Sequence, residues 1–184
     1  MKWNKLYKYP KSKRELLKGV RHYDVDDKKL PSVTTILQAT QDAEKVESLK
    51  RWTQKVGQVE AERIKNQAAK RSMAETIIEK GFGDLEEVWG SEVTLFYPNL
   101  YAGATDLCGI YQGRESIIDF KQSNKPKKAE WIGDYKLQMV AYAMAHNCVY
   151  GTGIEQGVIL MCTPDNLFQK FTINGREFRE LKWE

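Results

Sequence analysis

The chain has 184 residues, of which 41% are hydrophobic and 29% charged. This composition is typical of one soluble globular domain and excludes collagen-like, coiled-coil and disordered chains. The formal net charge of +4 is too small to identify a partner. The three cysteines, Cys108, Cys148 and Cys162, include no C-x-x-C pair, so we expect a reducing compartment and neither a disulfide framework nor a closed zinc site. No apolar run approaches the roughly 20 residues of a membrane span, so no membrane contact is expected.

The positive charge is concentrated in two segments. The first runs from Met1 to Arg21, where eight basic residues accompany a single acidic residue, Glu15. Clustered basic residues fit contacts to phosphate groups, although a solvated surface is the commoner reason for such runs. The second segment contains Lys121, Lys125, Lys127 and Lys128.

The first half of the chain has helical features. Residues 31–37 include Ser and Thr side chains that favour the start of a helix. From about residue 42 to residue 80, apolar residues recur every three to four positions among charged ones, which predicts one long or two shorter amphipathic helices. Gly81 and Gly83 are expected to end this helical part of the chain.

The second half, about residues 90–175, alternates between strands and a helix. Period-two alternation and turn residues predict several strands, two of which are joined through Gly113 as a hairpin. Residues 130–147 have helical periodicity. We therefore predict an α/β fold in which helices flank a mixed central β-sheet, after a helical N-terminal half. The predicted strands lie at residues 93–97, 107–111, 116–120, 157–161 and 168–173.

Asp106, Asp119 and Lys121 form the candidate site. Alternate side chains of a strand share a face, so Asp119 and Lys121 project together, and the hairpin can bring Asp106 beside Asp119. Two adjacent carboxylates repel each other unless a cation joins them. Their oxygen atoms, with the backbone carbonyl of Phe120, suit Mg²⁺ or Mn²⁺, and a lysine beside such an ion fits phosphodiester hydrolysis. Two unrelated surface aspartates and a salt-bridging lysine explain this short pattern about equally well.

The residues around this pattern form further motifs in chain order. They are Pro31-Ser32-Val33-Thr34-Thr35-Ile36-Leu37, the helical positions Trp52, Gly57, Ala61, Ala68, Ala69 and Arg71, then Tyr101-Ala102-Gly103-Ala104-Thr105-Asp106-Leu107, Ile117-Ile118-Asp119-Phe120-Lys121, and Gln138 with Tyr142. Over about residues 30–145 this series resembles the PD-(D/E)XK nuclease superfamily, specifically its RecB-like exonuclease branch with phage and mitochondrial members. The resemblance implies a restriction-endonuclease-like core and a single nuclease domain at residues 1–184.

The resemblance also implies roles for the matching residues. Asp106 and Asp119 would be metal ligands, with Mg²⁺ or Mn²⁺ as cofactor, and Lys121 would be the catalytic lysine. Glu92, on the preceding strand, would be an additional ligand, although a glutamate at a strand edge is more often just solvated. The residues expected to contact DNA are Ser32, Thr34, Thr35, Arg71, Lys125, Gln138 and Tyr142. Helix capping explains one of the three hydroxyl residues equally well.

One position departs from the pattern of the branch. RecB-like relatives usually carry a metal-ligand histidine in the helix before the sheet, and Thr76 stands at that position here. A threonine hydroxyl is a poor ligand, so Glu75, Glu92, water or nothing would take its place. His22 and His146 lie elsewhere in the chain, and we expect them to be structural or solvent-exposed.

The resemblance implies a metal-dependent deoxyribonuclease, above all a single-strand-preferring exonuclease in DNA replication or recombination. The expected location is the cytoplasm of a bacterial or phage-infected cell rather than a mitochondrion. The expected partner is DNA that is single-stranded or has free ends, and a homo-oligomer or a single-strand-binding protein stays open as a further partner. Two alternative functions also stay open: an endonuclease that cuts flapped or branched DNA, and a DNA-end-binding protein with weakened catalysis, which the threonine motivates.

Overall fold

A computed structural model describes residues 1–41, 47 and 67–183 of the chain. The strands are β1 (Lys2–Trp3), β2 (Lys13–Leu17), β3 (Val20–Val25), β4 (Lys28–Pro31), β5 (Leu85–Tyr97), β6 (Tyr101–Tyr111), β7 (Arg114–Gln122), β8 (Gln156–Cys162) and β9 (Phe168–Asn174). The α-helices are α1 (Val33–Ala39), α2 (Gln67–Gly81), α3 (Gly133–Tyr150) and α4 (Gly175–Leu181). Short 3₁₀-helices lie at Phe82–Asp84 and Ala129–Trp131.

The central feature is a mixed six-stranded sheet with the strand order β1-β5-β6-β7-β8-β9. Strands β5, β6 and β7 form an antiparallel meander, β8 runs parallel to β7, and β9 pairs antiparallel with β8 at the edge. Parallel neighbours need a crossover connection, and α3 supplies it between β7 and β8. The prediction of a mixed central sheet flanked by helices is confirmed.

Each face of this sheet has its own apolar core. Because neighbouring residues of a strand point to opposite faces, Ile117 packs with Met139 of α3, whereas Ile118 packs with Met73 of α2. Both isoleucines are at most 1% exposed. Strand β7 is therefore buried on both faces, and Asp119, two residues after Ile117, lies on the α3 side.

The N-terminal part of the chain differs from the predicted helical half. Residues 1–31 contain four strands, and β2, β3 and β4 form a separate three-stranded antiparallel sheet. Its two hairpins turn at Lys18-Gly19 and Asp26-Asp27, and all four of these residues have positive φ. Two consecutive residues with positive φ match the twist of the flanking strands. The prediction was wrong here because β2 is largely exposed on both faces and shows no apolar alternation.

The helical structure predicted for residues 30–80 is present in α1 and α2, and α2 ends at Gly81, as expected. Residues 42–46 and 48–66 lie outside the described part of the chain, and so do Trp52, Gly57 and Ala61 together with the side chains of Ala68 and Ala69. The predictions on those positions stay predictions.

The second half follows its predicted order with longer strands. Strand β5 begins at Leu85 and β6 at Tyr101, earlier than predicted, and α4 was not predicted. The hairpin between β6 and β7 is confirmed, with φ of 49° at Gln112 and 72° at Gly113. Within the described ranges, no helix combines the length and the hydropathy that crossing a membrane requires.

Candidate active site

Asp106 lies where β6 and β7 separate. The pairing of the two strands ends at Leu107 and Ile118. Just beyond that pair, the backbone N–H of Phe120 donates a hydrogen bond to Oδ2 of Asp106 at 2.6 Å. The carboxylate therefore takes the place of a strand partner, which holds it against β7 and next to Asp119.

Asp119 is a buried carboxylate with an incomplete set of partners. Its side chain is 3% exposed. Its Oδ2 forms an ion pair with Nζ of Lys121 but accepts no well-formed hydrogen bond from any described residue. Burial raises the pKa of Asp119 above its ordinary value, the Lys121 ammonium opposes that rise, and the neighbouring Asp106 carboxylate adds to it. The charge on Asp119 thus lacks full compensation from the protein.

Lys121 completes the predicted group of three. It projects from β7 on the same side as Asp119, and its Nζ lies 5.2 Å from the centre of the Tyr135 ring on α3. The aromatic face attracts the ammonium group and limits where it can point. On the α2 side, Lys121 also lines a cavity of about 480 Å³ together with Ile77 and Phe120. The lysine therefore stands at the rim between a buried carboxylate and open space.

Gln138 and Tyr142 lie behind the two carboxylates, on the inner face of α3. Gln138 Nε2 donates to the Tyr142 hydroxyl at 3.0 Å, and both residues are buried. The Tyr142 ring rests on Gly103 of β6, where a Cβ atom would come within 2.6 Å of it. Burial raises the pKa of Tyr142, and Asp119 and Asp106 raise it further, so the hydroxyl stays protonated.

Glu92 stands apart from the pair. Glu92 is exposed and has a φ of 52°. It lies between two paired positions of β5 and β6: Ser91 is opposite Leu107, and Val93 is opposite Thr105. In residues 1–41, 47 and 67–183, no group of three or more His, Cys, Asp and Glu side chains is close enough to hold an ion. The structure brings Asp106, Asp119 and Lys121 together, and it does not bring Glu92 into such a group.

The helical positions that were considered as substitute ligands make local contacts instead. The Thr76 hydroxyl is 8% exposed and donates to the backbone carbonyl of Ser72 at 3.0 Å. Glu75 forms an exposed ion pair with Arg71 at 3.1 Å, one helical turn earlier. The Arg71 guanidinium, predicted to contact DNA, is 85% exposed.

The hydroxyl residues at the start of α1, Ser32, Thr34 and Thr35, bond to one another. Oγ of Ser32 accepts a hydrogen bond from the backbone N–H of Thr35 at 3.1 Å and lies 2.7 Å from Oγ1 of Thr34. Ser32 is therefore the N-cap of α1, so helix capping accounts for one of the three hydroxyl residues. Lys125 is exposed in the loop after β7, and among the described residues its side chain has no ion-pair partner. Contacts of these residues with DNA stay predictions.

His146 has the structural role that was expected of it. It is fully buried, its Nε2 lies 3.1 Å from the Tyr9 hydroxyl, and its Nδ1 lies 2.7 Å from Oγ1 of Thr152. Tyr23 is a residue that the sequence reasoning missed. It is 7% exposed on β3 and lies close enough to Tyr142 to influence its pKa. No periodic pattern in the N-terminal segment pointed to it.

Several features of this site fit a divalent cation. Two carboxylates lie side by side, and burial together with the Asp106 carboxylate raises the pKa of Asp119 despite its ion pair with Lys121. Hard cations such as Mg²⁺ and Mn²⁺ prefer oxygen ligands of this kind. The residues able to hold an ion are Asp106 and Asp119, and the backbone carbonyl of Phe120 stays a predicted third ligand.

Comparison with known proteins finds a distant similarity. No protein-family model matches the chain. The chain is 28% identical over 171 residues to the human mitochondrial genome maintenance exonuclease 1, and the match covers 74% of this chain and 50% of that protein. The chain thus spans about half the length of this curated relative. A solved structure described as the crystal structure of SSO0001 aligns with a TM-score of 0.38 and 16% identity, covering 71% of this chain and 64% of that one.

Proposed function

We propose that the chain is a metal-dependent deoxyribonuclease built on a restriction-endonuclease-like core of the PD-(D/E)XK type. The observation that carries this proposal is the group formed by Asp106, Asp119 and Lys121, in which the buried Asp119 carboxylate lies beside the Asp106 carboxylate and forms an ion pair with the lysine. The similarity to a protein named as an exonuclease supports the same reaction class. The proposed substrate is DNA.

Mg²⁺ or Mn²⁺ is the proposed cofactor. Asp106 and Asp119 would hold the ion, with the carbonyl of Phe120 as a further oxygen ligand. A divalent cation at such a site supplies Lewis-acid polarisation of the phosphoryl group and a more acidic bound water.

The chain's own residues have separate tasks in this proposal. The Phe120 N–H orients the Asp106 carboxylate through its hydrogen bond. Lys121, held by the Asp119 carboxylate on one side and the Tyr135 ring on the other, presents a positive charge where negative charge develops on the phosphate during hydrolysis. Tyr142, buried on the α3 side, borders the site and is near enough to Asp119 and Asp106 for both carboxylates to raise its pKa.

We further propose that the enzyme is an exonuclease that prefers single-stranded DNA. The exonuclease activity named for the human relative supports the exonuclease part of this proposal. Linear and circular single-stranded DNA, incubated with the protein in Mg²⁺ or Mn²⁺, separate the two modes of cleavage. We expect the linear DNA to be degraded and the circle to survive. Opening of the circle would instead identify an endonuclease.

Lys121→Ala tests the site assignment. The charge that stabilises the reacting phosphate is lost, so we expect cleavage to fall by at least about a hundredfold, while binding of single-stranded DNA in EDTA is retained. Lys136→Ala is a matched control, because Lys136 is also partly buried and paired with a carboxylate, that of Glu177, at the surface of α3. Unchanged cleavage by the Lys121 variant would show that the site lies elsewhere.

A second candidate function is a DNA-end-binding protein with weakened catalysis. The observation that favours it is the Thr76 hydroxyl, which donates to Ser72 within its own helix and so is not directed toward an ion. If the protein binds single-stranded DNA but degrades none in either metal, this function replaces the nuclease.

A further inference from the structure

The small sheet formed by β2, β3 and β4 packs against β6. Tyr23, Val25 and Leu30 hold the small sheet against Ala102 of β6. Arg14 of the edge strand β2 is the cross-strand partner of Tyr23, and because paired residues lie on one face of a sheet, Arg14 lies beside Tyr23 on this face, at the end of the hairpin away from its turn. The face that packs on β6 therefore carries a basic residue at its β2 edge.

A groove lies between this basic face and the central sheet. It has a volume of about 550 Å³, and one wall is formed by the N-terminal segment with Lys11 and Arg14. Glu92 of β5 and Ala104 of β6 belong to the other wall. Ala104 precedes Asp106 by two residues on the same strand, so the groove begins next to the carboxylate pair.

The two basic side chains in the groove are available for a ligand. Both Lys11 and Arg14 are exposed, and neither forms an ion pair with any residue that the structure describes. The nearest acidic residue in sequence, Glu15, is already paired with Lys13 and Lys29. The wall thus carries two uncompensated positive charges.

The basic wall is also fixed in place. Ser12 bonds through its hydroxyl to Oγ1 of Thr94 on β5 at 2.5 Å. Tyr9, three residues earlier, contacts the buried His146 of α3. Preorganised charges bind an anion with less loss of conformational freedom than charges on a mobile tail.

We propose that this groove binds the sugar-phosphate backbone of a single DNA strand where the strand leaves the Asp106–Asp119 pair, with Lys11 and Arg14 contacting successive phosphates. The proposal rests on the deoxyribonuclease function proposed above and adds the path of the substrate. A single strand can pass from the site to this groove because Ala104, in the groove wall, lies two residues from Asp106 on β6. The Glu92 carboxylate, on the opposite wall, repels phosphates and so keeps the strand on the basic wall.

The test is binding of a dye-labelled single-stranded DNA oligonucleotide to the full chain in EDTA, followed by fluorescence anisotropy over a range of salt concentrations. For Lys11→Glu/Arg14→Glu, we expect affinity to fall at least about tenfold. The slope of log affinity against log salt should become shallower by about 1.4, since each contact to a single-stranded phosphate contributes about 0.7. Glu92→Gln should bind about two- to fivefold more tightly, because one repulsive charge is removed.

Arg114→Glu/Arg176→Glu is the matched control, since it makes the same change in charge at the opposite end of the sheet. Arg114 begins β7, and Arg176 lies in α4, close to the start of β8. Its affinity should stay within about twofold of wild type. All four side chains are exposed, but Arg176 also forms an ion pair with Glu180 at 2.6 Å, one helical turn later. The Lys11/Arg14 variant should therefore unfold at the same temperature as wild type, whereas the control should unfold a few degrees lower at most.

The outcomes separate the groove from the nuclease function. If the Lys11/Arg14 variant binds as wild type does, if both double variants lose affinity equally, or if wild type does not bind the oligonucleotide, the groove proposal is wrong. If wild type cleaves no DNA in Mg²⁺ or Mn²⁺ while only the Lys11/Arg14 variant loses affinity, the groove stands and the nuclease function fails.

Discussion

Replacement of Gly103 by alanine perturbs the site without touching a carboxylate. A Cβ atom on Gly103 would lie 2.6 Å from Cε1 and 2.7 Å from Oη of Tyr142. Ordinary contacts begin at 3.4 Å, so the ring has to move by about 0.8 Å. Tyr142 is only 3% exposed and packs among the buried residues of α3, so the movement strains the helix as well as the ring.

We expect Gly103→Ala to lower the free energy of unfolding by about 1–3 kcal/mol, as overpacking of a core does. For a chain of this length, that corresponds to a decrease of about 2–12 °C in the midpoint of thermal unfolding. Because Tyr142 borders both aspartates, a displacement of this size should also lower the rate of DNA cleavage, by up to about a hundredfold. Chemical denaturation and a single-strand cleavage assay measure the two effects.

Two further variants decide whether the contact with Tyr142 is the cause. Tyr142→Leu removes the three Tyr142 atoms, Cε1, Oη and Cζ, that lie nearest to the new Cβ, so Gly103→Ala should cost less than about 0.5 kcal/mol in that background. Gly133→Ala is the control, because a Cβ at Gly133 meets no atom within 4 Å, and it should change stability by no more than about 0.5 kcal/mol. An equal cost of Gly103→Ala in the two backgrounds would refute the reasoning.

Two other predictions concern buried groups. Asp106→Ala should lower the free energy of unfolding in EDTA by about 1–3 kcal/mol, because the Phe120 N–H loses its acceptor. Asp106→Asn keeps an oxygen, so it should retain stability and lose cleavage. Equal stability of the two variants would contradict the assigned hydrogen bond. Burial lowers the pKa of His146 from 6.5 to about 4, so below about pH 6.5 the unfolded chain takes up a proton that the native protein does not. Denaturation curves should therefore show stability falling by up to about 3 kcal/mol between pH 6.5 and pH 4. His146→Gln should remove this component and His22→Gln should leave it, and an unchanged slope in the His146 variant would show that other groups cause it.

The placement of Asp106 near Asp119 was predictable from the sequence because it depends on local rules. A two-residue turn at Gln112-Gly113 fixes the hairpin register, and alternation along a strand then decides which side chains share a face. Neither rule reveals that the β6–β7 ladder stops before Asp106 and that its side chain accepts the Phe120 N–H. That exchange depends on how far two strands diverge in the folded sheet.

The small N-terminal sheet was not predictable for a different reason. Strand β2 reads Lys-Arg-Glu-Leu-Leu and has exposed residues on both faces, so no periodic pattern marks it. Its position is set by Tyr23 and Leu30, which pack on β6, a contact between distant parts of the chain. The preference for glycine at position 103 also depends on a contact between distant parts of the chain, since the three atoms nearest to a Cβ there all belong to Tyr142 on α3.

The arrangement of β6 explains why cleavage and strand binding should be separable. Asp106 is held toward β7 by the Phe120 N–H, whereas Ala104, two residues earlier, faces the groove beside Arg14. One strand therefore contributes to both places through different residues. Loss of Lys121 removes charge from the site and leaves the groove unchanged, whereas reversal of the groove charges leaves every contact among Asp106, Asp119 and Lys121 in place. If loss of Lys121 or reversal of the groove charges abolished both cleavage and strand binding, the two properties would have to be coupled through the backbone of β6.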